Sequence, residues 1–484
     1  MSFVNTNLVE DEDEDEEGEG EGEGEGGGAF HNVDVPHCRR TASPPPSFLA
    51  LRRCSTRPLS IFCCSMPPIS HHQEQRGQHA ELPSAPAGDM QFSKRDQIAI
   101  IGSGNWGSVA AKLVAENALI YPHYHDEVRM WVYEEILPSG QKLTDVINAT
   151  HENVKYLPNI MLGLNVVADP DLHNAVKDAT MLIFVTPHQF VDGICRRLQG
   201  KVRQDAKAIS LIKGMEVVKR EGPCMISSLI TEVLGIECSV LMGANIANEI
   251  AQEKFSEATV GYRGEKKVAD KWVQVFSKSY FQITPVRDVE GVELCGTLKN
   301  VVAIAAGLVD GLQMGNNTKV CFDCTFGVSI CKKKERAFCF KQGNPMMQAA
   351  IMRIGLREMR VFSKLIFPSV KDSTFFESCG VADVITTCLG GRNRKVAEAF
   401  AEHDGKSRSF DELEADLLQG QKFQQGVSTA AELFEVLKAR KWQDQFPLFT
   451  TVHKIATGEL PPSAVVEYSE QAPRMVVEGA AQYY

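Results

Sequence analysis

At 484 residues the chain exceeds what one ordinary hydrophobic core holds, so two or three domains of roughly 100–200 residues each are expected. Its net charge of −11 is local: Glu10 to Glu25 holds twelve acidic residues, and the rest sets 51 basic against 50 acidic groups. That near-neutral remainder excludes an electrostatic argument for nucleic acid. No uninterrupted apolar run reaches the roughly 18–20 residues of a membrane helix, and fourteen scattered cysteines lack the spacing of a secreted disulfide scaffold, which favours reduced thiols in an intracellular compartment.

Residues 1–94 read as a leader outside the folded domains. Residues 10–28 alternate acid and glycine, too poor in apolar surface to offset chain entropy, and are expected to stay disordered. From Pro36 to Met66 there is no acidic residue, while Arg39, Arg40, Arg52, Arg53 and Arg57 stand among serines and prolines, the composition of an organelle transit peptide. An acidic tract ahead of such a signal is out of place, and translation from Met66 or Met90 would remove both. The expected location is the cytosol, with the plastid stroma as the alternative.

Residues 95–286 read as a dinucleotide-binding domain. Gln97-Ile98-Ala99-Ile100-Ile101 predicts a strand; Gly102-Ser103-Gly104-Asn105-Trp106-Gly107 follows at once, then a helical stretch from Ser108 to Glu116. Strand, glycine turn and helix in that order cradle a pyrophosphate on backbone N–H groups. A second strand, Val128 to Tyr133, ends in Glu134-Glu135, where a carboxylate meets the adenosine ribose and repels a 2′-phosphate, favouring NAD over NADP. Met181–Val185 predicts a third strand leading to Thr186-Pro187-His188-Gln189-Phe190, with His188 read as an ordinary loop residue. Ala208–Ile212 delivers Lys213-Gly214, and Ser239–Met242 delivers Gly243-Ala244-Asn245-Ile246-Ala247, each a polar group at the sheet edge that faces a cofactor.

Residues 287–475 read as a helical domain. Val292 to Val309 is too densely apolar for a surface helix, so a buried one is expected, with Lys299 in its middle. A buried ammonium is costly unless paired or functional, and desolvation lowers its pKa toward the range useful for proton transfer. Further helices are predicted at Ala349–Phe367, Lys395–His403, Phe410–Leu418 and Ser428–Ala439. Asp383 and Thr387 share a helix face at a spacing of four. Gly390-Gly391-Arg392-Asn393 suits an anion, whereas Arg394 and Lys395 read as a solvated basic turn. Cys321, Cys324, Cys331 and Cys339 fit no common zinc spacing, so no metal is expected.

From Gln97 to Tyr468 these motifs, in this order, resemble the NAD-dependent glycerol-3-phosphate dehydrogenases, with Cys295-Gly296-Thr297-Leu298-Lys299-Asn300 and Gly390-Gly391-Arg392-Asn393-Arg394-Lys395 among the longest shared stretches. The resemblance implies an α/β chain: a Rossmann-type domain followed by an all-α domain like the C-terminal one of 6-phosphogluconate dehydrogenase. It implies a homodimer that interconverts dihydroxyacetone phosphate and sn-glycerol 3-phosphate with NAD. Lys299 is then the general acid and base, with Lys213, Asn245, Asp383 and Thr387 around the substrate, Asn300 also binding it, and Arg392 and Asn393 at its phosphate. Gly102, Ser103, Gly104, Asn105, Trp106, Gly107, Tyr133, Phe190, Ala247, Arg392 and Lys422 fall to the cofactor, with either Gln424 or Gln425, since the family has one glutamine before the glycine.

The family runs directly from the Asn-Thr-Lys counterpart of Asn317-Thr318-Lys319 into Ala349-Ala350-Ile351, so the 29 residues 320–348 are an insertion. Its first residue, valine, and its last, glutamine, fit codons beginning GT and ending CAG, the ends of an intron. A retained intron or gene-model error is the expectation, and abundant transcript carrying codons 320–348 in active tissue would sink it. A non-catalytic dinucleotide-binding protein is the alternative function if the insertion disrupts the site.

Overall fold

The structure, a computed structural model, describes residues 95–218, 222–312, 345–403, 405, 408–417 and 425–466; at 216–218, 222, 223, 345–347 and 425 it describes the backbone alone. These residues belong to one unit, Ala87–Tyr484. The expectations for the leader 1–94, and for most of the insertion, lie outside the described residues.

The chain enters through β1 (Asp96–Ile101), turns at residues 102–104 into α1 (Asn105–Ile120), and returns as β2 (Tyr124–Trp131). α2 (Leu143–Thr150), β3 (Val166–Asp169), α3 (Leu172–Ala175), β4 (Met181–Phe184) and α4 (Val191–Leu198) follow. β5 (Lys207–Ser210) leads to a hairpin of β6 (Met215–Val218) and β7 (Gly222–Met225), then α5 (Ile226–Leu234) and β8 (Cys238–Met242). α6 (Ala247–Ala251), β9 (Ser256–Gly261), α7 (Lys266–Phe276) and β10 (Phe281–Val286) complete this half.

Eight strands form one sheet in the order β10-β9-β8-β5-β4-β1-β2-β3, parallel throughout except for the antiparallel β8–β9 pair. Strands covered by helices on both faces read as continuous apolar runs, as β1, β4 and β8 do. β1 lies between β2 and β4, so the chain leaves to one side and returns on the other; the crevice outside these strands' carboxyl ends is where such sheets take ligands. The loops carrying residues 102–107, 186–190, 213–214 and 243–247 all open at that edge. The strand from Val128 starts earlier than expected, at Tyr124, and ends at Trp131, leaving Glu134 and Glu135 in the following loop.

The second half is built on α8 (Val289–Gly311), buried at every position from Gly291 to Gly311. Asp288 caps it: the carboxylate accepts from Gly291 N at 2.9 Å, Lys371 N at 2.9 Å and Thr374 Oγ1 at 2.6 Å. By length and composition this helix could cross a bilayer, although no uninterrupted apolar run is that long; its most apolar stretch is wholly buried within the protein. α9 (Pro345–Ile366), α10 (Asp383–Gly390), α11 (Arg392–Glu402), α12 (Phe410–Leu417), α13 (Gln425–Arg440) and α14 (Pro447–Ala456) surround it. α8 and α11 meet at bare backbone, because a Cβ on Gly307 would stand 2.1 Å from Arg394 O and one on Gly311 2.1 Å from Glu398 O. α10 is entered through a π-turn, Ser378–Ala382, which sets where Asp383 begins its helix.

Candidate active site

The glycine turn has the shape its sequence predicts. Gly102 sits at φ +120°, and a Cβ there would lie 2.5 Å from Val185 O; a Cβ on Gly107 would lie 2.2 Å from Gly102 O. Gly104 has nothing within 4 Å of its missing side chain. It is also the N-cap of α1, and no side chain caps the first-turn amides. Ser103 is buried and its carbonyl accepts from Asn153 Nδ2 at 2.8 Å. Asn105 Nδ2 donates to Tyr156 O at 2.7 Å and Asn248 Oδ1 at 2.8 Å, and Trp106 Nε1 to Asn245 O at 3.3 Å. Tyr133 and Phe190 stand exposed beyond β2 and β4, and Ala247 opens α6. This open, uncapped helix start with glycine backbone approach fits a pyrophosphate, and hence the dinucleotide.

Both carboxylates expected at the ribose are engaged elsewhere. Glu134 accepts from Thr144 Oγ1 at 2.6 Å and Thr144 N at 3.3 Å, capping the first turn of α2. Glu135 binds Tyr156 OH at 2.6 Å and pairs with Lys155. Both therefore lie in the loop just past the carboxyl end of β2, each already held by a neighbouring side chain.

Lys299 is 3% exposed, and its ammonium donates to Asp383 Oδ1 and, at 2.8 Å, to Thr387 Oγ1. Asp383 and Thr387 share one face of α10, as the spacing predicts. Lys213, from the loop after β5, places its Nζ 3.8 Å from Asp383 Oδ2, an atom with no hydrogen-bond partner. Two cations thus share one buried carboxylate. Desolvation pushes the Lys299 amine down to about 7; Asp383 opposes the shift and Lys213 adds to it. Asn245 is buried at the carboxyl end of β8, on the same edge.

At the far side Asn300, one residue after Lys299, accepts from Asn393 Nδ2 at 3.1 Å, while its own Nδ2 is buried without a partner. Arg392 and Asn393 open α11, next to the amides of its first turn. Arg394 does not lie in a solvated turn: its guanidinium is largely buried, 2.7 Å from Asp310 Oδ2 and 3.0 Å from Glu398 Oε1. Sequence neighbours could not reveal Asp310, which reaches it from α8. Lys422 and Gln424 lie outside the described residues, and Gln425 is described only as backbone at the start of α13.

Three further groups escaped the sequence. Thr186 has a buried hydroxyl without a partner beside Gly102; a polar residue just past the apolar strand β4 was the available signal. Ser378 Oγ accepts from Ala244 N at 3.2 Å, tying the Asn245 loop to the π-turn before Asp383. Thr297 Oγ1 accepts from Gly214 N at 3.1 Å. Among the described residues no group of His, Cys, Asp and Glu could hold a metal, and the six described cysteines are free.

A parallel sheet with a glycine turn at its switch point, followed by a helical half that closes a lysine and a carboxylate onto the same edge, defines a dinucleotide-dependent oxidoreductase. A sequence profile described as NAD-dependent glycerol-3-phosphate dehydrogenase N-terminus matches residues 97–268; its C-terminus counterpart matches 288–327 and 339–467, leaving 328–338 of the insertion unmatched. The chain is 69% identical over 377 residues to a glycerol-3-phosphate dehydrogenase [NAD(+)] of Cuphea lanceolata, covering 78% of this chain and 93% of that one. It is 68% identical to a chloroplastic one of Arabidopsis thaliana (79% and 88% covered) and 46% identical to a cytoplasmic one of Drosophila ezoana (78% and 97%). The solved glycerol-3-phosphate dehydrogenase of Saccharomyces cerevisiae superposes with a TM-score of 0.66 at 41% identity, covering 77% of this chain and 98% of that one. The chain belongs to the NAD-dependent glycerol-3-phosphate dehydrogenases, with a Rossmann-like sheet half and a helical second half.

Proposed function

We propose that Lys299 gives and takes the proton at the substrate oxygen in the interconversion of dihydroxyacetone phosphate and sn-glycerol 3-phosphate. One observation carries this reading: a nearly fully buried ammonium, held by Asp383 and Thr387 at the sheet edge where the cofactor cradle opens. Bound NADH supplies a hydride to the ketone carbon. As the carbonyl π pair moves onto oxygen, the Lys299 ammonium donates a proton to that oxygen and is left a neutral amine; in the reverse direction the amine takes the alcohol proton. Asp383 and Thr387 orient the amine, and Lys213 adds positive charge for the developing oxyanion. Asn245 lines the substrate, and the open Nδ2 of Asn300, with Arg392 and Asn393, takes the phosphate. Gly102 to Gly107, Tyr133, Phe190 and Ala247 hold the dinucleotide, joined by Arg392, Lys422 and one of Gln424 and Gln425.

In purified enzyme assayed by NADH absorbance with dihydroxyacetone phosphate, Lys299→Ala cuts turnover about 10²–10⁴-fold, the usual worth of a general acid, while NADH still quenches protein fluorescence. Near-normal turnover in that variant overturns the assignment. The same reading includes a homodimer, supported by the family resemblance and checked by light scattering. It places the protein in the cytosol or, alternatively, the plastid stroma, supported by relatives of both designations. It divides the chain near residue 286, where sheet gives way to helix.

A further inference from the structure

Thr297 is a fully buried hydroxyl on α8, two residues before Lys299. A threonine inside a helix satisfies its own donor on the carbonyl one turn back, and Thr297 Oγ1 lies 3.0 Å from Glu293 O. That bond needs no partner outside the helix. Yet the same oxygen accepts from Gly214 N at 3.1 Å and lies 3.3 Å from Gly214 O, a contact across 83 residues of chain. Gly214 itself is a position that only glycine fills easily: its φ is +131°, and a Cβ there would stand 3.0 Å from the His188 imidazole Cγ. The hydroxyl therefore anchors the loop at Gly214 through both its N–H and its carbonyl, and the residue held next to that anchor is Lys213, whose ammonium stands over Asp383 Oδ2.

We propose that Thr297 is a positioning residue for the reaction: by holding Gly214 it fixes Lys213 against the carboxylate that Lys299 also uses, and so sets how far the two ammonium groups compete for it. The proposal rests on Lys299 being the acid and base. The ionisable groups around the Lys299 amine are Asp383 and Cys388 on α10 and Lys213 on the pinned loop. Cys295, one turn back on α8, faces Cys379 of the π-turn, Asp288 and Asp383. Glu293, pushed up to about 7 by burial, turns away to the hydroxyl of Ser227 at 2.5 Å and to Ser227 N at 3.2 Å. If the Gly214 anchor is lost, Lys213 recedes toward solvent, its repulsion weakens, and the Lys299 ammonium persists to higher pH.

Thr297→Val keeps the shape, removes the hydroxyl and strands the Gly214 N–H, whereas Thr297→Ser keeps the bond. With the full-length enzyme and dihydroxyacetone phosphate, Thr297→Val is expected to lower kcat/KM about tenfold, the worth of one good buried hydrogen bond. Its NADH affinity stays unchanged, and the alkaline fall of its pH profile moves up by about half a unit or more. Thr297→Ser should stay within about threefold of the parent with the parent profile. A Thr297→Val enzyme that is slower but keeps the parent pH profile overturns the proposal, since a packing role alone predicts that result; so does Thr297→Ser as impaired as Thr297→Val. If Thr297→Val does not fold, Thr297→Ala is read by the same criteria. Loss of activity in Lys299→Ala together with an unmoved profile in Thr297→Val removes only this proposal, whereas an active Lys299→Ala removes the reading beneath it.

Discussion

An ammonium enclosed by protein costs several kcal/mol unless something offsets it, and Asp383 offsets Lys299 only in part because Lys213 uses the same carboxylate. Burial, with Lys213 adding to it, leaves the Lys299 amine with a pKa of about 7. With Lys299 as the proposed acid and base, reduction needs the ammonium, so kcat/KM for dihydroxyacetone phosphate should fall as pH rises through about 7; oxidation of glycerol 3-phosphate needs the amine and should rise over the same interval. Asp383→Asn removes the counter-charge, lowers the amine's pKa further and should move the fall in the reduction direction to lower pH. Profiles from about pH 5.5 to 9.5 in both directions check this; a fall that moves upward in Asp383→Asn contradicts the electrostatics. Lys299 was legible in the sequence because a single charge in an apolar run is anomalous wherever it occurs. The shared carboxylate was half legible, since the Asp383–Thr387 spacing is local. The Thr297–Gly214 bond and the Arg394–Asp310 pair were not, because each joins residues more than eighty apart whose neighbours give no hint of the contact.

The helices of the second half were legible to within a few residues wherever the apolar pattern was long, and α8 most of all. The short strands β3, β9 and β10 went unnamed, since four to six residues of mixed polarity cannot be told from loop without the sheet that pairs them. The helix crossing that places Arg392 and Asn393 was equally hidden, because Gly307 and Gly311 read only as small residues in an apolar run. Their role is spatial: without side chains they let the α11 backbone at Arg394 and Glu398 lie directly against α8. Gly307→Ala should therefore act on the site at a distance. Its methyl would stand 2.1 Å from Arg394 O and 2.9 Å from Ala397 Cβ, neither of which is a flexible side-chain end. Overpacking of this kind costs about 1–3 kcal/mol, and the relief available is to push away α11, which carries Arg392 and Asn393 at its start. The expected result is a lower unfolding midpoint together with a KM for dihydroxyacetone phosphate that rises several-fold while that for NADH stays near the parent value. Equal effects on both KM values would mean the strain is absorbed elsewhere.

Across the whole molecule the open structural variable is the block 320–348. The family profile breaks inside it, at 328–338, and most of it lies outside the described residues. Its last residue does not: Gln348 is buried at the head of α9, with Nε2 2.7 and 2.6 Å from the two oxygens of Asp310. Asp310 is the carboxylate that holds Arg394 and, through it, the start of α11. Removing residues 320–348 joins Lys319 directly to Ala349, so that a lysine takes the place before Ala349 that Gln348 now occupies. An amide that donates to a carboxylate is then replaced by an ammonium, which adds an opposite charge to a bond that the carboxylate already makes charge-assisted. Closing the chain through 29 fewer residues also removes some closure entropy, though only on the order of 1 kcal/mol since that term grows with the logarithm of length. Both effects act in one direction, so the shortened protein should unfold at a higher temperature and turn over dihydroxyacetone phosphate at least as fast as the 484-residue chain. Lys319→Met in the shortened protein should remove most of the gain in stability, because it keeps the stem and deletes the charge facing Asp310. Parallel calorimetry and NADH-absorbance assays on the three proteins decide the point: a shortened protein that is less stable and slower would make the block an integral part of the fold, with Gln348 the native partner of Asp310.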